Sequence, residues 1–409
     1  MHYNFFIKKN CIILTKKKKN MHKIIKQTFD IKYNYNIFFT KDIFNLNNKI
    51  LINELNKNNL SEKKVLIVID KNITKFHTDL IKNINNYFNF YKNLIKITCK
   101  PIIFTGGERI KNHYSLVKYL YTIIEKYKIC RQSYLIAIGG GTLQDLAGYV
   151  ASTAHRGIKL IRIPTTVLSQ DDSGVGVKNG INFINKKNFI GCFSTPHSVI
   201  NDYSFLNSLN LKQIMEGISE ALKVALIKDK NFFNYININS KNITTPAVLE
   251  NLIYTCANLH AEHISKYGDP FEKTSSRPLD FGHWTAHKLE SMSKYKISHG
   301  ESVGIGIILD TTYSYLIKLL KKDKWKTIIR CMINLKMKIF SDLLLKKKQT
   351  YMIFDGLEEF REHLGGKVTI TLLKDIGIKI DVHHINKNIY IKAIKLIEKI
   401  NKNIIRNEK

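Results

Sequence analysis

The chain has 409 residues, with 65 Lys plus Arg against 33 Asp plus Glu, a formal net charge of +32. Its 44% hydrophobic and 11% aromatic residues can bury a large core, which excludes a disordered chain despite that charge. No apolar run reaches the ~20 residues of a membrane-crossing helix.

Met1 to Lys19 shows neither a signal peptide nor an Arg- and Ser-rich transit peptide, so residues 1–27 read as a poorly ordered extension. VLIVID (Val65–Asp70) reads as a buried strand, with a helix over His77–Leu94 after it. PIIF (Pro101–Phe104) is a second strand, Tyr114–Tyr127 a helix with apolar positions at three- and four-residue steps, YLIAI (Tyr134–Ile138) a third strand and KLIRIP (Lys159–Pro164) a fourth. This alternation predicts a parallel sheet covered on both faces: an N-terminal Rossmann-like α/β domain over 28–202. Beyond it, Leu211–Ile227, Pro246–Ile264 and Glu301–Leu320 are helix-periodic, which predicts an all-helical C-terminal domain over 203–409 and a ligand cleft between the two.

Three segments can carry chemistry. GGGTLQD (Gly139–Asp145) follows a strand and opens a helix, where glycines let phosphates approach the backbone and the helix N-terminus favours their charge; tight packing explains such a turn equally well. Asp70, ending a strand, is placed either to accept ribose hydroxyls or simply to cap a turn. In DFGHWTAHKLE (Asp280–Glu290), His283 and His287 share a helical face, His299 follows in SHGES (Ser298–Ser302), and Glu220 lies on an apolar helical face in GISEALK (Gly217–Lys223). Two imidazoles and a carboxylate leave the fourth position that a catalytic zinc needs. Ser169–Gly191 sets Asp172, Lys178, Lys187 and Asn188 among glycines, in a stretch too irregular for a helix and too polar for a buried strand. Lysines on a pinned loop suit an anionic, phosphorylated substrate.

From about Val65 to Asp381 the chain resembles the 3-dehydroquinate synthase family of sugar-phosphate cyclases. The resemblance rests on GGERIKN (Gly106–Asn112), GGGTLQDLAGYVASTAHRG, IPTT (Ile163–Thr166), DDSGVGVK, KKNFIG, NDYSFLNSL and the histidine segments in order. It implies the dehydroquinate synthase-like fold, NAD, zinc or cobalt, a phosphorylated keto-sugar substrate and a homodimer. Glu220, His283 and His299 would bind the metal. Asp70, Glu108, Lys111, Gly140, Gly141, Asp145, Thr165 and Thr166 would hold NAD, with Lys178 and Lys187 reaching it. Lys178, Lys187, Asn188 and His287 would line the substrate beside Asp172, Lys223 would face the same cleft, and Arg156 would reach the phosphate in the neighbouring subunit. The implied reaction oxidises a ring alcohol, eliminates phosphate, reduces the ketone again and closes a carbocycle by an intramolecular aldol step.

The chain departs from the family pattern where cations pair with the substrate carboxylate. His260 stands for a Lys, Ser276 for an Arg (Arg277 is one place off), Asp280 for an Asn, and REHLGG (Arg361–Gly366) for an Asp-Lys-Lys segment. FREHLGG and DFGHW look more like the branch that cyclises sedoheptulose 7-phosphate, which lacks that carboxylate. Two other readings compete: a metal-dependent polyol or glycerol-phosphate dehydrogenase, and a nucleic-acid-binding relative using the +32 charge. The lysine-rich Asp172–Asn188 loop argues against the first, and the lack of any aromatic–basic stripe against the second, so neither nucleic acid nor membrane is expected as a partner. The six cysteines (Cys11, Cys99, Cys130, Cys192, Cys256, Cys331) include no C-x-x-C pair, which fits a reducing compartment. Lys, Asn and Ile, all drawn from A- and T-rich codons, dominate the composition. That bias suggests a plastid genome or a reduced bacterial one, and the protein is expected in the cytoplasm, or in the plastid stroma if a plastid genome encodes it.

Overall fold

Val65–Ile69 is an unbroken apolar, largely β-branched run, and such a run is stable as a strand only when both of its faces are covered. The computed structural model describes residues 24–57, 63–184, 186–266, 271, 280–347, 351–364 and 368–407. Residues 24–33 form no regular element and are exposed, and residues 1–23 of the expected extension lie outside the described residues. Among the described residues the strands in the first half are β1 (Asn36–Thr40), β2 (Lys64–Asp70), β3 (Lys96–Ile97), β4 (Ile102–Phe104), β5 (Tyr134–Gly139), β6 (Lys159–Pro164), β7 (Lys178–Phe183), β8 (Lys186–Phe193) and β9 (Ser198–Asp202). All but β7 and β8 form one sheet, ordered β1-β9-β6-β5-β2-β3, with β4 following β3 along the edge of β2 and every pair parallel.

Side chains alternate across this sheet into two cores, as a period of two requires. Val65, Ile67 and Ile69 of β2 join Ile136 and Ile138 of β5 beneath the Leu80–Phe90 helix. Leu66 and Val68 face the other way, with Leu135 and Ala137, onto the Tyr114–Lys126 and Gly141–Thr153 helices. The predicted strands and helices therefore stand. The edge strand β1 and its neighbour β9 were not expected.

One expectation needs correction. Ser169–Gly191 is not irregular: Ser169–Ser173 forms a wide helical turn, and β7 and β8 pair antiparallel into a hairpin. Polar residues suit a strand when the partner strand, rather than a buried sheet, satisfies its backbone. Gly180 and Gly191 oppose one another there, and a Cβ on Gly191 would lie 2.6 Å from the Asn179 carbonyl oxygen.

Beyond Asp202 the chain is helical around a single core, with Leu211–Lys228, Pro246–Lys266, His283–Met292 and His299–Leu316 supplying the elements that matter for the site. The helical expectation is met with one addition, the antiparallel hairpin of β10 (Ile370–Asp375) and β11 (Ile378–Val382). Two capping boxes set where functional helices begin: Asn210 with Gln213 for Leu211–Lys228, and Ser298 with Glu301 for His299–Leu316. The second makes His299 the first helical residue. Gly282 caps His283–Met292 in a left-handed conformation (φ 78°), pressed against the backbone of Ile307.

Candidate active site

Three helices bring Glu220, His283 and His299 together, with one donor atom from each within 4.8 Å of the others. Glu220 sits in mid-helix, fully buried. Its Oε2 pairs with Lys223 one turn on, and its Oε1 lies 3.7 Å from His283 Nε2 and 3.3 Å from His299 Nε2 without a hydrogen bond to either. Each imidazole is tied at its other nitrogen: His283 Nδ1 to the Phe281 carbonyl at 3.2 Å, and His299 Nδ1 to the Glu290 carboxylate. With Nδ1 engaged in each ring, both Nε2 atoms converge on an orphaned carboxylate oxygen, the donor set of a three-ligand metal site with an open position once Nε2 is free of its proton. Burial, with Lys223 adding to it, lowers His283 to about 3, which keeps it neutral as a ligand must be. Burial opposes charge on His299 too, but Glu290 outweighs it and raises that imidazole to about 9 in the metal-free protein. Burial would likewise penalise both Glu220 and Lys223, yet their mutual attraction lowers the first and raises the second.

The carboxyl ends of β2, β5 and β6 form the second half of the site. Asp70 ends β2, and Gly106 after β4 comes so close that a Cβ there would lie 2.0 Å from Asp70 Oδ2. Asp70 also accepts from Asn72 N–H at 2.8 Å, so the capping and the ribose readings of this residue are compatible. The Gly141–Thr153 helix follows β5 directly from Gly140, and no side chain caps its N-terminus. Thr166 lies beside Gly140, and Thr165 is fully buried with its hydroxyl unpartnered. Uncapped N–H groups above a glycine turn, flanked by two threonines and a strand-end aspartate, fit a dinucleotide.

The β7–β8 hairpin links the halves. Lys111, buried, donates to Asp145 at 2.8 Å and to Asn188, and lies 3.7 Å from Glu108. Asn182 of β7 donates to Glu108 at 3.1 Å and accepts from Asn188 N–H at 2.8 Å. Asn188 itself takes a left-handed backbone (φ 53°). Lys187 reaches Glu290 at 3.0 Å. Arg162, fully buried in β6, holds the base of the hairpin: its guanidinium donates to the carbonyls of Gly174 (3.0 Å), Gly176 (2.6 Å) and Lys178 (3.2 Å), and to Asn179 Oδ1 at 2.7 Å.

Of the other expected residues, His287 stands beside the metal donors, its ring 5.5 Å from His283 and 6.1 Å from His299, with one side open to solvent. His260 is buried and pairs with Asp172 at 2.8 Å, and Asp280 is near enough to help hold Lys223 charged. Lys178 is exposed at the start of β7. Arg156 is exposed on the Ala154–Arg156 turn and joins none of these networks, while Arg277 and Ser276 lie outside the described residues. Glu290 and Arg162 were missed. Glu290 follows His283 and His287 at the i, i+4, i+7 spacing that puts all three on one helical face, and Arg162 is a charge set between two isoleucines in mid-strand; both signals are visible in the sequence.

The 3-dehydroquinate synthase N-terminal family model matches residues 101–216, and the C-terminal model of the same enzyme matches 217–356. A 3-dehydroquinate synthase of Pelagibacter ubique is 34% identical over 348 residues, 84% of this chain and 90% of that protein. One from Buchnera aphidicola subsp. Cinara cedri is 36% identical over 309 residues, 74% of this chain and 79% of that protein. In three dimensions the chain is similar to the 2-epi-5-epi-valiolone synthase ValA of Streptomyces hygroscopicus, which was solved with NAD+ and Zn2+ bound: the TM-score is 0.81 at 21% identity, over 91% of this chain and 99% of that one. A 2-deoxy-scyllo-inosose synthase complexed with carbaglucose-6-phosphate, NAD+ and Co2+ follows at TM-score 0.71 and 23% identity, covering 88% and 95%. Two adjoining model matches, and relatives above 30% identity matched over most of their length, place this chain in the 3-dehydroquinate synthase family.

Proposed function

We propose that the protein is an NAD- and zinc-dependent sugar-phosphate cyclase that converts a phosphorylated keto-sugar to a carbocycle with loss of phosphate. The observation that carries this is the convergence of Glu220 Oε1, His283 Nε2 and His299 Nε2 beside a hairpin bearing Lys178, Lys187 and Asn188. Zinc, or cobalt, would be held by those three donors, and NAD by Asp70, Glu108, Lys111, Asp145, the Gly140–Gly141 turn and Thr165–Thr166; the metal supplies Lewis acidity and the nicotinamide a reversible hydride acceptor. The chain's own residues do the rest. Lys178 and Lys187 neutralise the leaving phosphate, Asn188 orients it, and His287, open on one side, moves protons at the sugar. Lys223 keeps Glu220 ionised, and Asp172 holds His260 in place.

The family match supports the dehydroquinate reaction as the first reading. A second is favoured by His260, already committed to Asp172, and by Asp280, an acid near Lys223: a paired imidazole and an acid stand where the family pattern has groups for a substrate carboxylate, which suits a sedoheptulose 7-phosphate-type substrate. Purified protein with NAD and zinc, given either the carboxylated seven-carbon sugar phosphate or sedoheptulose 7-phosphate, is expected to release phosphate from one of them without net NADH. Release from neither overturns both readings, and accumulating NADH would favour a dehydrogenase.

The end of the sheet at Asp202 supports dividing the chain there into a nucleotide-holding part (28–202) and a metal-holding part (203–409). The exposed Arg156 supports a homodimer in which it serves the neighbouring subunit. Arg156→Ala should then lose activity that mixing with a metal-site variant partly restores. The codon-biased composition fits a reduced bacterial or a plastid genome.

A further inference from the structure

Glu290 has no part in the reading above, yet it is buried and both of its oxygens are engaged: Oε1 takes His299 Nδ1–H and Oε2 takes Lys187 Nζ at 3.0 Å. It stands on the His283–Met292 helix, two turns from His283, so one helix supplies a metal donor and the carboxylate that orients another. We propose that Glu290 is the positioning residue of the metal centre: it fixes the His299 ring with Nε2 turned to Glu220, and Lys187, on β8, holds the carboxylate in place from its other oxygen. The proposal rests on the metal reading and deepens it. A carboxylate on the far nitrogen of a ligating imidazole sets the tautomer, aims the ring and raises the basicity of the donor nitrogen. A neutral acceptor can do the first two but not the third. Through Lys187 and its bond to Glu290, the substrate hairpin becomes part of the support of the metal centre.

Zinc affinity of the full chain, measured by competition with a chromophoric chelator, tests this independently of turnover. Relative to wild type, Glu290→Gln and Glu290→Ala are expected to weaken zinc by about 10- to 100-fold, Ala more than Gln. Both should also shift the visible absorption of the cobalt-loaded protein. Lys187→Met is expected to weaken zinc in the same direction by less. His283→Ala, which removes a donor, should abolish tight binding. Wild-type affinity and an unchanged cobalt spectrum in Glu290→Gln, with binding lost in His283→Ala, overturn the role of Glu290 and leave the metal site standing. Wild-type affinity in His283→Ala overturns the metal site itself. Lys187→Met matching wild type removes Lys187 from the proposal. Should Glu290→Ala fail to fold, the isosteric Glu290→Gln decides.

Discussion

Lys223 and Glu220 are buried together, so altering either takes from the other its nearest opposite charge. His283→Ala and Glu220→Gln should both abolish turnover, but for different costs in stability. Stranding the Lys223 charge in Glu220→Gln is worth ~3–5 kcal/mol, whereas losing one neutral imidazole is not; chemical denaturation of the metal-free variants separates the two. Asp310 makes a second single-residue prediction. It accepts from Gly282 N–H, Trp284 Nε1–H and the Tyr390 hydroxyl at 2.9 to 3.1 Å, yet burial outweighs these donors and pushes its carboxyl up to about 7. A raised acid is penalised when ionised, so its cost is full above pH 7 and is relieved as pH falls toward the ordinary value of 3.8. The stability of wild type relative to Asp310→Asn, which does not titrate, should therefore increase as pH falls from about 8 to about 5 in urea unfolding. At this scale the convergence of Glu220, His283 and His299 was legible in part, because three histidines within seventeen residues are a pattern. Asp310 was not, since one acid in an apolar helix names no partners.

At the scale of elements, glycines set the site's dimensions. The His299–Leu316 helix lies against the turn that carries His283, and a Cβ on Gly306 would fall 2.0 Å from the Gly282 carbonyl oxygen. Gly306→Ala should cost ~1–3 kcal/mol and separate His283 from His299, so zinc affinity should fall along with the unfolding midpoint. Arg162 does comparable work for the β7–β8 hairpin, and Arg162→Met should take the donor from four acceptors, three of them in buried bonds, and raise KM for the phosphorylated substrate. The main strands and long helices were legible because their hydrophobic periods are long. β7 and β8 were not, since their apolar residues are interrupted by lysines, asparagines and glycines, and Arg162 and the Gly180–Gly191 contact support the hairpin beside the paired Ile181 and Ile190. β1, a five-residue edge strand, gave too short a run.

For the whole molecule, few of the cations behind the +32 charge are committed to the site, and most are spread over solvated surface. Such a charge repels itself, and salt relieves that repulsion. The thermal midpoint should rise as NaCl increases from about 20 to about 300 mM, whereas a fold dependent on surface ion pairs would lose stability. Basicity alone suggested nucleic acid and could not be read further. The ordered motifs could, because each places a particular side chain at a strand end or a helix start.

The sheet's far edge sets a timetable for biosynthesis. β1 pairs with β9, and Asp202 at the end of β9 accepts the N–H groups of Asp42 and Ile43, some 160 residues earlier in the chain. A ribosome-bound chain that has not yet released residue 202 must carry β1 without its partner, and β6 with one edge bare. That interval is when such a nascent chain is most exposed to aggregation and most in need of a chaperone.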